Sequence, residues 1–152
     1  MDESSITEYI SSALPGVDVQ VAEEGDGSPE IAWGDSFFFY DPERRLKGAN
    51  QFPFATIVTK DYGDFDKASN LDRKGVFRLN IGLSSETYDS LFEAEDATYD
   101  FTQLDALMPH PVYGVNHWVC VLNPSVETFE TLKPLLAEAH ARAARRYEAI
   151  AR

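Results

Sequence analysis

The sequence predicts an α+β fold, with a single domain over residues 1–152. In it, an antiparallel β-sheet is packed by an N-terminal helix, a middle helix and a long C-terminal helix. Helical patterns stand at both ends of the chain. Between them, several strand-like segments follow one another across turns, and consecutive strands without intervening helices pair antiparallel. The length of 152 residues also suits one hydrophobic core.

The N-terminal segment has the pattern of a helix followed by a strand. Ser5 and Glu8 have the spacing of a capping box, which predicts that a helix begins there. Pro15 and Gly16 end this helix. In residues 17–21, valines alternate with polar residues, as expected of a half-buried strand.

The aromatic middle of the chain predicts the centre of the sheet. Residues 30–33 and 36–40 predict two strands joined by a Gly-Asp pair, or one strand with a bulge at that point. The consecutive aromatic residues 37–40 point to both faces of the sheet. One face then meets the main core, and the other needs a helix, a loop or a ligand to cover it. Residues 54–59 predict a further strand, and residues 60–74 an acidic loop.

The next segment predicts another strand and the middle helix. Apolar and polar side chains alternate in residues 76–81, which places Arg78 and Asn80 on the same face of a strand. Ser84 or Ser85 then caps a helix.

The C-terminal third predicts one strand and the longest helix. Residues 102–107 predict a short helical turn, and residues 118–122 predict the last strand. Ser125 opens a helical region with one apolar stripe. Pro134 either kinks this helix or lies in the first turn of a helix beginning near Thr131. Cations complement the helix dipole at the C-terminal end of a helix. The arginines near that end are Arg142, Arg145, Arg146 and Arg152.

The composition argues against several classes of partner. The 26 acidic and 13 basic side chains give a net charge of −13, which disfavours binding to nucleic-acid phosphates. A single cysteine, Cys120, excludes an intrachain disulfide. No apolar run reaches the roughly 18 residues of a membrane span, and the acidic residues 1–3 are unlike a signal peptide. We therefore expect a soluble, cytoplasmic protein that binds neither membranes nor nucleic acid.

Three features carry a resemblance to a known family. An Ala-Leu-Pro-Gly segment at residues 13–16 closes the first helix, and the strand at residues 77–81 leads into a helix. His117 and Trp118 precede the last strand and the C-terminal helix. In these features the chain resembles the MmcQ/YjbR-like family of small bacterial domains. Three further segments are similar to an uncharacterised bacterial domain family: residues 33–38, 52–56 and 69–73.

The MmcQ/YjbR resemblance implies a compact α+β fold of the double-wing type and, by analogy of fold, DNA binding. Members of that family usually carry basic residues just before the His-Trp pair. In this chain Gly114, Val115 and Asn116 stand there instead. Together with the net negative charge, this departure disfavours nucleic-acid binding.

The candidate ligand-binding residues combine polar anchors with aromatic rings. Arg78 and Asn80 present a permanent cation and an amide on one strand face, which suits an anion or an amide. The alternative is that Arg78 pairs with a carboxylate on an open sheet face. His117 either orients a ligand, or is a strand residue that faces away from Trp118. The predicted ligand-binding residues are Trp33, Phe38, Tyr40, Lys60, Arg73, Arg78, Asn80, Tyr113 and His117.

Metal and nucleophile patterns are weak. His110, His117 and Cys120 lack a fourth zinc ligand at a recognised spacing. The aspartates of the acidic loop lack the glycine and the closing glutamate of a calcium loop; they are Asp61, Asp64, Asp66 and Asp72. Residues 34–38 lack the second glycine of a nucleophile elbow. We expect neither a metal nor a cofactor.

Three functions remain open at this point. The first is a non-catalytic binding module whose aromatic cleft takes a small organic ligand or a protein segment. The second is DNA binding, for which a basic face would have to form from Lys60, Lys67, Arg73, Lys74 and Arg78. The third is a cofactor-independent enzyme with His110 or His117 as general base. Exposed aromatic residues would equally suit a homodimer interface. We expect the binding module rather than an enzyme.

Overall fold

The helices and strands follow the predicted order with one addition, a short strand at Met108–Pro109 that the sequence does not predict. A computed structural model of the protein describes residues 1–94 and 97–151. The helices are α1 (Glu3–Ala13), α2 (Ser85–Leu91) and α3 (Val126–Ala151). The strands are β1 (Val17–Val21), β2 (Ser36–Tyr40), β3 (Ala55–Val58), β4 (Arg78–Gly82), β5 (Met108–Pro109) and β6 (Trp118–Leu122). In the described part of the chain, no helix is long and apolar enough to cross a membrane.

The six strands form one antiparallel sheet in the order β1-β2-β3-β4-β6-β5. Because side chains alternate along each strand, the register decides which residues share a face. One cross-strand row on the same face consists of Phe37, Thr56, Asn80, Cys120 and Met108. The predicted fold, a single α+β domain with an antiparallel sheet and three helices, is therefore confirmed.

The first face of the sheet packs against α1 and α3 and forms the main core. This core contains Ile6, Ile10, Phe38, Ile57, Leu79, Ile81, Val119, Val121, Phe129, Leu132 and Leu136. The apolar stripe of α3 faces this core, as its helical spacing predicts. Pro134 lies inside α3, so the helix begins well before Thr131.

The second face of the sheet is covered by loops rather than by helices. A smaller apolar cluster packs there around Val58, Leu71, Met108, Cys120 and Leu122. This explains the aromatic run of β2: Phe38 lies in the main core, and its neighbour Phe37 points to the loop-covered face. The loops that cover this face also position the candidate site.

Two predicted boundaries differ in the N-terminal half. The helix α1 begins at Glu3, because the carboxylate of Asp2 accepts a hydrogen bond from the Ser5 amide at 2.8 Å and caps the helix. Residues 30–33 are not a strand but include the 3-10 turn Glu30–Ala32. The reason is tertiary: Ala22, just after β1, already exchanges backbone hydrogen bonds with the segment leading into β2.

The predicted helical turn at residues 102–107 is also wrong. Leu104 forms a β-bridge with Leu122, and the Asp105 amide donates to the Leu122 carbonyl at 2.7 Å. Asp105 has a φ of 58°, outside the helical region. Pairing with the edge of the sheet therefore outweighs the local helical pattern in this segment. Arg152, which the sequence groups with the other C-terminal arginines, lies outside the described residues.

Candidate functional site

The loop-covered face of the sheet contains a cavity of about 300 Å³. Its walls come from the sheet, from the loop of residues 60–74 and from the segment before β6. The lining residues are Phe37, Phe52, Pro53, Thr56, Val58, Tyr62, Phe65, Asp66, Arg78, Asn80, His110, Tyr113 and Trp118. The volume lies at the lower end of the range typical of small-molecule sites.

Aromatic rings form most of the cavity wall. Phe65 and Tyr113 meet across the mouth with their ring centroids 6.0 Å apart. The rings of Phe52 and Trp118 form another side, at 6.5 Å. Phe65 is 62% exposed and Phe52 is 52% exposed, so these two rings border the opening rather than the interior.

A glycine on β4 fixes the position of the Trp118 ring. Gly82 is the cross-strand partner of Trp118. A Cβ atom at residue 82 would lie 2.9 Å from two indole carbons, closer than such contacts normally come. The indole therefore packs directly against β4 at Gly82, where only glycine leaves room for it.

The floor of the cavity is a buried ion pair. Arg78 is 1% exposed and binds both carboxylate oxygens of Asp66, at 3.1 and 2.6 Å. Its guanidinium also donates to Ser69 Oγ at 2.9 Å and to Asn80 Oδ1 at 2.8 Å. Asn80 in turn donates to Thr56 Oγ1 at 3.0 Å. The charges thus compensate each other, and the polar side chains hold one another in place.

His110 lies beside this ion pair and is neutral at pH 7. Its Nδ1 accepts hydrogen bonds from the amides of Val112 and Tyr113, at 3.0 and 2.9 Å. This pattern assigns the proton of the neutral ring to Nε2, which lies 3.1 Å from a terminal nitrogen of Arg78. Burial, together with the nearby Arg78 charge and against the effect of Asp66, lowers the pKa of His110 to about 3. His110 and the Asp66–Arg78 pair therefore lie in direct polar contact.

The loop of residues 60–74 is held in place by hydrogen bonds to its own aspartates. Asp61 accepts from the Leu71 amide at 2.8 Å, and Asp72 accepts from the Asp61 amide at 3.1 Å. Tyr62 donates its hydroxyl to the buried Asp35 at 2.5 Å. Burial and this hydrogen bond raise the pKa of Tyr62 far above its usual value. The acidic loop is thus a folded wall of the cavity.

Three of the predicted ligand-binding residues line the cavity: Arg78, Asn80 and Tyr113. The structure brings them together from β4 and from the 3-10 turn Tyr113–Asn116. Arg78 pairs with a carboxylate, as one of the two interpretations expects, and it also lines the cavity. Its role as a ligand anchor stays a prediction. The sheet face around it, however, is covered rather than open.

The other six predicted residues lie elsewhere. Phe38 is fully buried in the main core, and the Tyr40 ring packs against His140 and Tyr147. The side chain of Lys60 donates to the carbonyl of Trp33, and the Trp33 indole donates to another carbonyl. The remaining two are Arg73, which donates to three backbone carbonyls, and His117, whose ring packs on Tyr88.

The residues that sequence reasoning missed are mostly loop residues. From the sequence, Asp66 is a candidate only for a calcium-like loop, and His110 is a candidate only for a metal ligand or a general base. Strand alternation could have found Phe37 and Thr56, since both share the face of Asn80. The His-Trp pair draws attention to Trp118, but the position of its indole ring depends on Gly82.

The alternative chemistries gain no support from this geometry. His117 has a left-handed backbone with φ 69° and lies before β6, not within it. Across residues 1–94 and 97–151, no group of three or more histidines, cysteines and acidic residues could hold a metal ion. The lone pair of His110 Nδ1 is taken by two amides, so His110 presents a donor and not a base to the cavity.

Four of the five basic residues named for DNA binding have partners within the protein. Arg78 is buried, and Arg73 donates to carbonyls of its own and a neighbouring loop. Lys67 pairs with Asp64 at 3.1 Å. Lys60 is turned towards the Trp33 carbonyl.

Comparison with known proteins gives a family but no activity. The model of a family of unknown function, DUF6194, matches residues 1–152. No curated protein and no solved structure matches the chain. The predicted similarity to a domain family of unknown function is confirmed, whereas the relationship to MmcQ/YjbR-like domains stays a prediction.

Proposed function

The chain belongs to the DUF6194 family, whose function is unknown, and from the cavity we propose that it is a non-catalytic binding module for a small organic ligand. One observation carries the proposal: an aromatic cavity of about 300 Å³ stands over a buried polar floor whose charges are already paired. A concave, mostly apolar site with a few converging polar groups is the usual form of a small-molecule site.

The floor favours a neutral ligand. The charges of Asp66 and Arg78 compensate each other, and His110 is uncharged at pH 7 because burial lowers its pKa to about 3. An added charge on the ligand would lose its hydration without gaining an unpaired counter-charge there. The uncharged polar side chains of the lining, Thr56, Asn80 and Tyr113, instead suit a neutral polar group such as a ketone or lactone carbonyl.

The walls favour a flat ring system. The volume corresponds to roughly ten water molecules at about 30 Å³ each, which fits one or two fused rings. Such rings gain edge-to-face or offset contacts with surrounding aromatic side chains. We therefore expect a neutral, planar, carbonyl-bearing compound.

A screen by thermal shift at pH 7 tests this proposal, with coumarin, 4-quinolone and indole as first probes. Binding is then measured by quenching of Trp118 in a Trp33→Phe background, where Trp118 is the sole tryptophan. Phe65→Ala removes an exposed wall ring and should weaken binding by roughly two- to tenfold, the range of one aromatic contact. Leu91→Ala is the matched control, an exposed apolar residue on α2.

The outcomes separate three explanations. The proposal is supported by a probe that stabilises the protein and whose binding is weakened by Phe65→Ala but not by Leu91→Ala. Probes that leave melting and Trp118 fluorescence unchanged would refute it. The third explanation is that the exposed rings at the mouth bind a second copy of the chain in place of a ligand. A dimer in size-exclusion chromatography that Phe65→Ala dissociates would establish this and would overturn the proposal.

A further inference from the structure

A second depression, of about 230 Å³, shares Phe52, Pro53 and Trp118 with the cavity. It is formed between α3 and the end of β4. Its lining includes three arginines of α3, which are Arg142, Arg145 and Arg146, beside the apolar surface of Phe52, Pro53 and Trp118. We call it the arginine groove.

Two of the three guanidinium groups are already oriented. Arg142 donates to the Leu83 carbonyl at 2.7 Å. Arg146 lies over the ring of Phe52, with its guanidinium carbon 4.8 Å from the ring centroid. Residues at spacings of three and four share one face of a helix, so Arg145 and Arg146 join Arg142 on the side that borders the groove. The groove therefore holds partly preorganised donors.

The arginines of the groove have no carboxylate partner within the described ranges, although acidic residues outnumber basic ones by 26 to 13. In the described part of the chain, some cations outside the groove do form ion pairs, such as Arg45 with Glu43, Lys67 with Asp64 and Lys133 with Glu130, and others do not. What distinguishes the groove is that three guanidinium groups, none of them in an ion pair with the described residues, line one depression, where they repel one another. An anion that enters the groove would relieve this repulsion.

We propose that the arginine groove binds the oxyanion group, a carboxylate or a phosphate, of an organic ligand whose apolar part lies on Trp118 and Phe52. The planar guanidinium of arginine forms paired hydrogen bonds with both kinds of oxyanion. The rings on the other side of the groove provide the apolar contact. The groove shares three lining residues with the neutral cavity, but its arginines do not line the cavity, and the proposal does not rest on the function proposed for the cavity.

Isothermal titration calorimetry at low and moderate salt tests the assignment. The probes are 3-phenylpropionate, phenyl phosphate and inorganic phosphate, with the neutral 3-phenylpropionamide as the matched uncharged compound. The two organic anions should bind about tenfold or more tightly than the amide, because charge-assisted hydrogen bonds are lost in the amide. The difference between the carboxylate and the phosphate identifies the preferred oxyanion, and added salt should weaken both.

Arg145→Gln is the principal variant, because Arg145 forms no ion pair or hydrogen bond with the described residues, so its loss should leave the fold intact. Arg145→Gln should weaken the binding of the organic anions by about tenfold. The control Lys74→Gln removes one exposed positive charge from another loop and should leave their binding unchanged. Equal binding of amide and anion, or equal effects of the two variants, would overturn the proposal.

Two further readouts keep this site distinct from the cavity and from nucleic acid. Arg145→Gln should leave the binding of coumarin unchanged, so failure of either proposal is visible separately. Inorganic phosphate should bind more weakly than phenyl phosphate if the rings contribute. Tight, salt-dependent binding of a DNA duplex that Arg145→Gln abolishes, with no binding of the small anions, would replace the proposal by a nucleic-acid surface.

Discussion

Asp66→Asn should destabilise the protein strongly, because it leaves a buried positive charge without its partner. Asp66 is 8% exposed and Arg78 is 1% exposed, and two hydrogen bonds join them. Asparagine keeps one acceptor oxygen in nearly the same place but removes the compensating charge. Breaking a buried pair in this way costs about 3–5 kcal/mol, a large part of the roughly 5–15 kcal/mol that stabilises a typical domain.

Urea denaturation followed by circular dichroism measures this loss of unfolding free energy. In a thermal melt, the midpoint should fall by roughly 6–20 °C, since 1 kcal/mol corresponds to about 2–4 °C in a domain of this size. Binding of any cavity probe should also weaken, because Arg78 is no longer held by its carboxylate.

Asp64→Asn is the control for this experiment. It makes the same chemical change two residues earlier, at a carboxylate that is 98% exposed and pairs with Lys67 on the surface. Surface pairs contribute little, so its unfolding free energy should stay close to that of the unmodified protein. Equal losses in the two variants would refute the interpretation of Asp66 and Arg78 as a buried, mutually dependent pair.

Three further predictions concern His110, Gly82 and Cys120. The unfolded chain protonates His110 near pH 6.5, whereas the folded protein keeps it neutral until about pH 3, so stability should be lost as the pH falls from 6.5 towards 3. Between pH 7 and pH 5, urea titrations should show that the free energy of unfolding falls by about 2 kcal/mol because of this residue. His110→Asn should remove this pH-dependent loss, since its amide oxygen can still accept from the two backbone amides. An unchanged pH dependence in His110→Asn would contradict the assignment. Gly82→Ala should displace the Trp118 indole and cost about 1–3 kcal/mol, visible as a shifted Trp118 emission in the Trp33→Phe background. Burial raises the pKa of Cys120 to about 12, so a thiol reagent should modify it only at the rate of unfolding; rapid modification of the native protein would show that the residue is accessible.

The periodic segments of the fold could be predicted from the sequence, because their patterns are local. The alternation of β4 placed Arg78 and Asn80 on one face, and the structure agrees. The predictions for residues 30–33 and 102–107 were wrong because the conformation of these segments is not decided locally. In both, backbone hydrogen bonds to distant residues, Ala22 with Asp35 and Asp105 with Leu122, decide the conformation.

The candidate site was harder to predict because loops build most of it. Composition made residues 60–74 look like a solvated acidic loop, yet Asp66 enters the interior to meet Arg78. Alternation also fixes only which aromatic residues share a face, not which face becomes the core. In β2 that decision separates Phe37, which lines the cavity, from Phe38, which lies in the main core. A register shift of one residue would exchange them.

The distribution of buried polar groups supports the proposal that the loop-covered face binds a ligand. Of the seven buried polar residues in the described part of the chain, five form one network at the cavity floor, namely Asp66, Ser69, Arg78, Asn80 and His110. Apolar replacement of a buried ion pair is often neutral or even stabilising, so packing alone gives no reason to keep it. The network does, however, hold polar side chains in fixed positions beneath a cavity with apolar walls. Because these side chains are positioned before a ligand arrives, binding would need little reorganisation of the protein, and a rigid polar floor of this kind is what a selective small-molecule site requires.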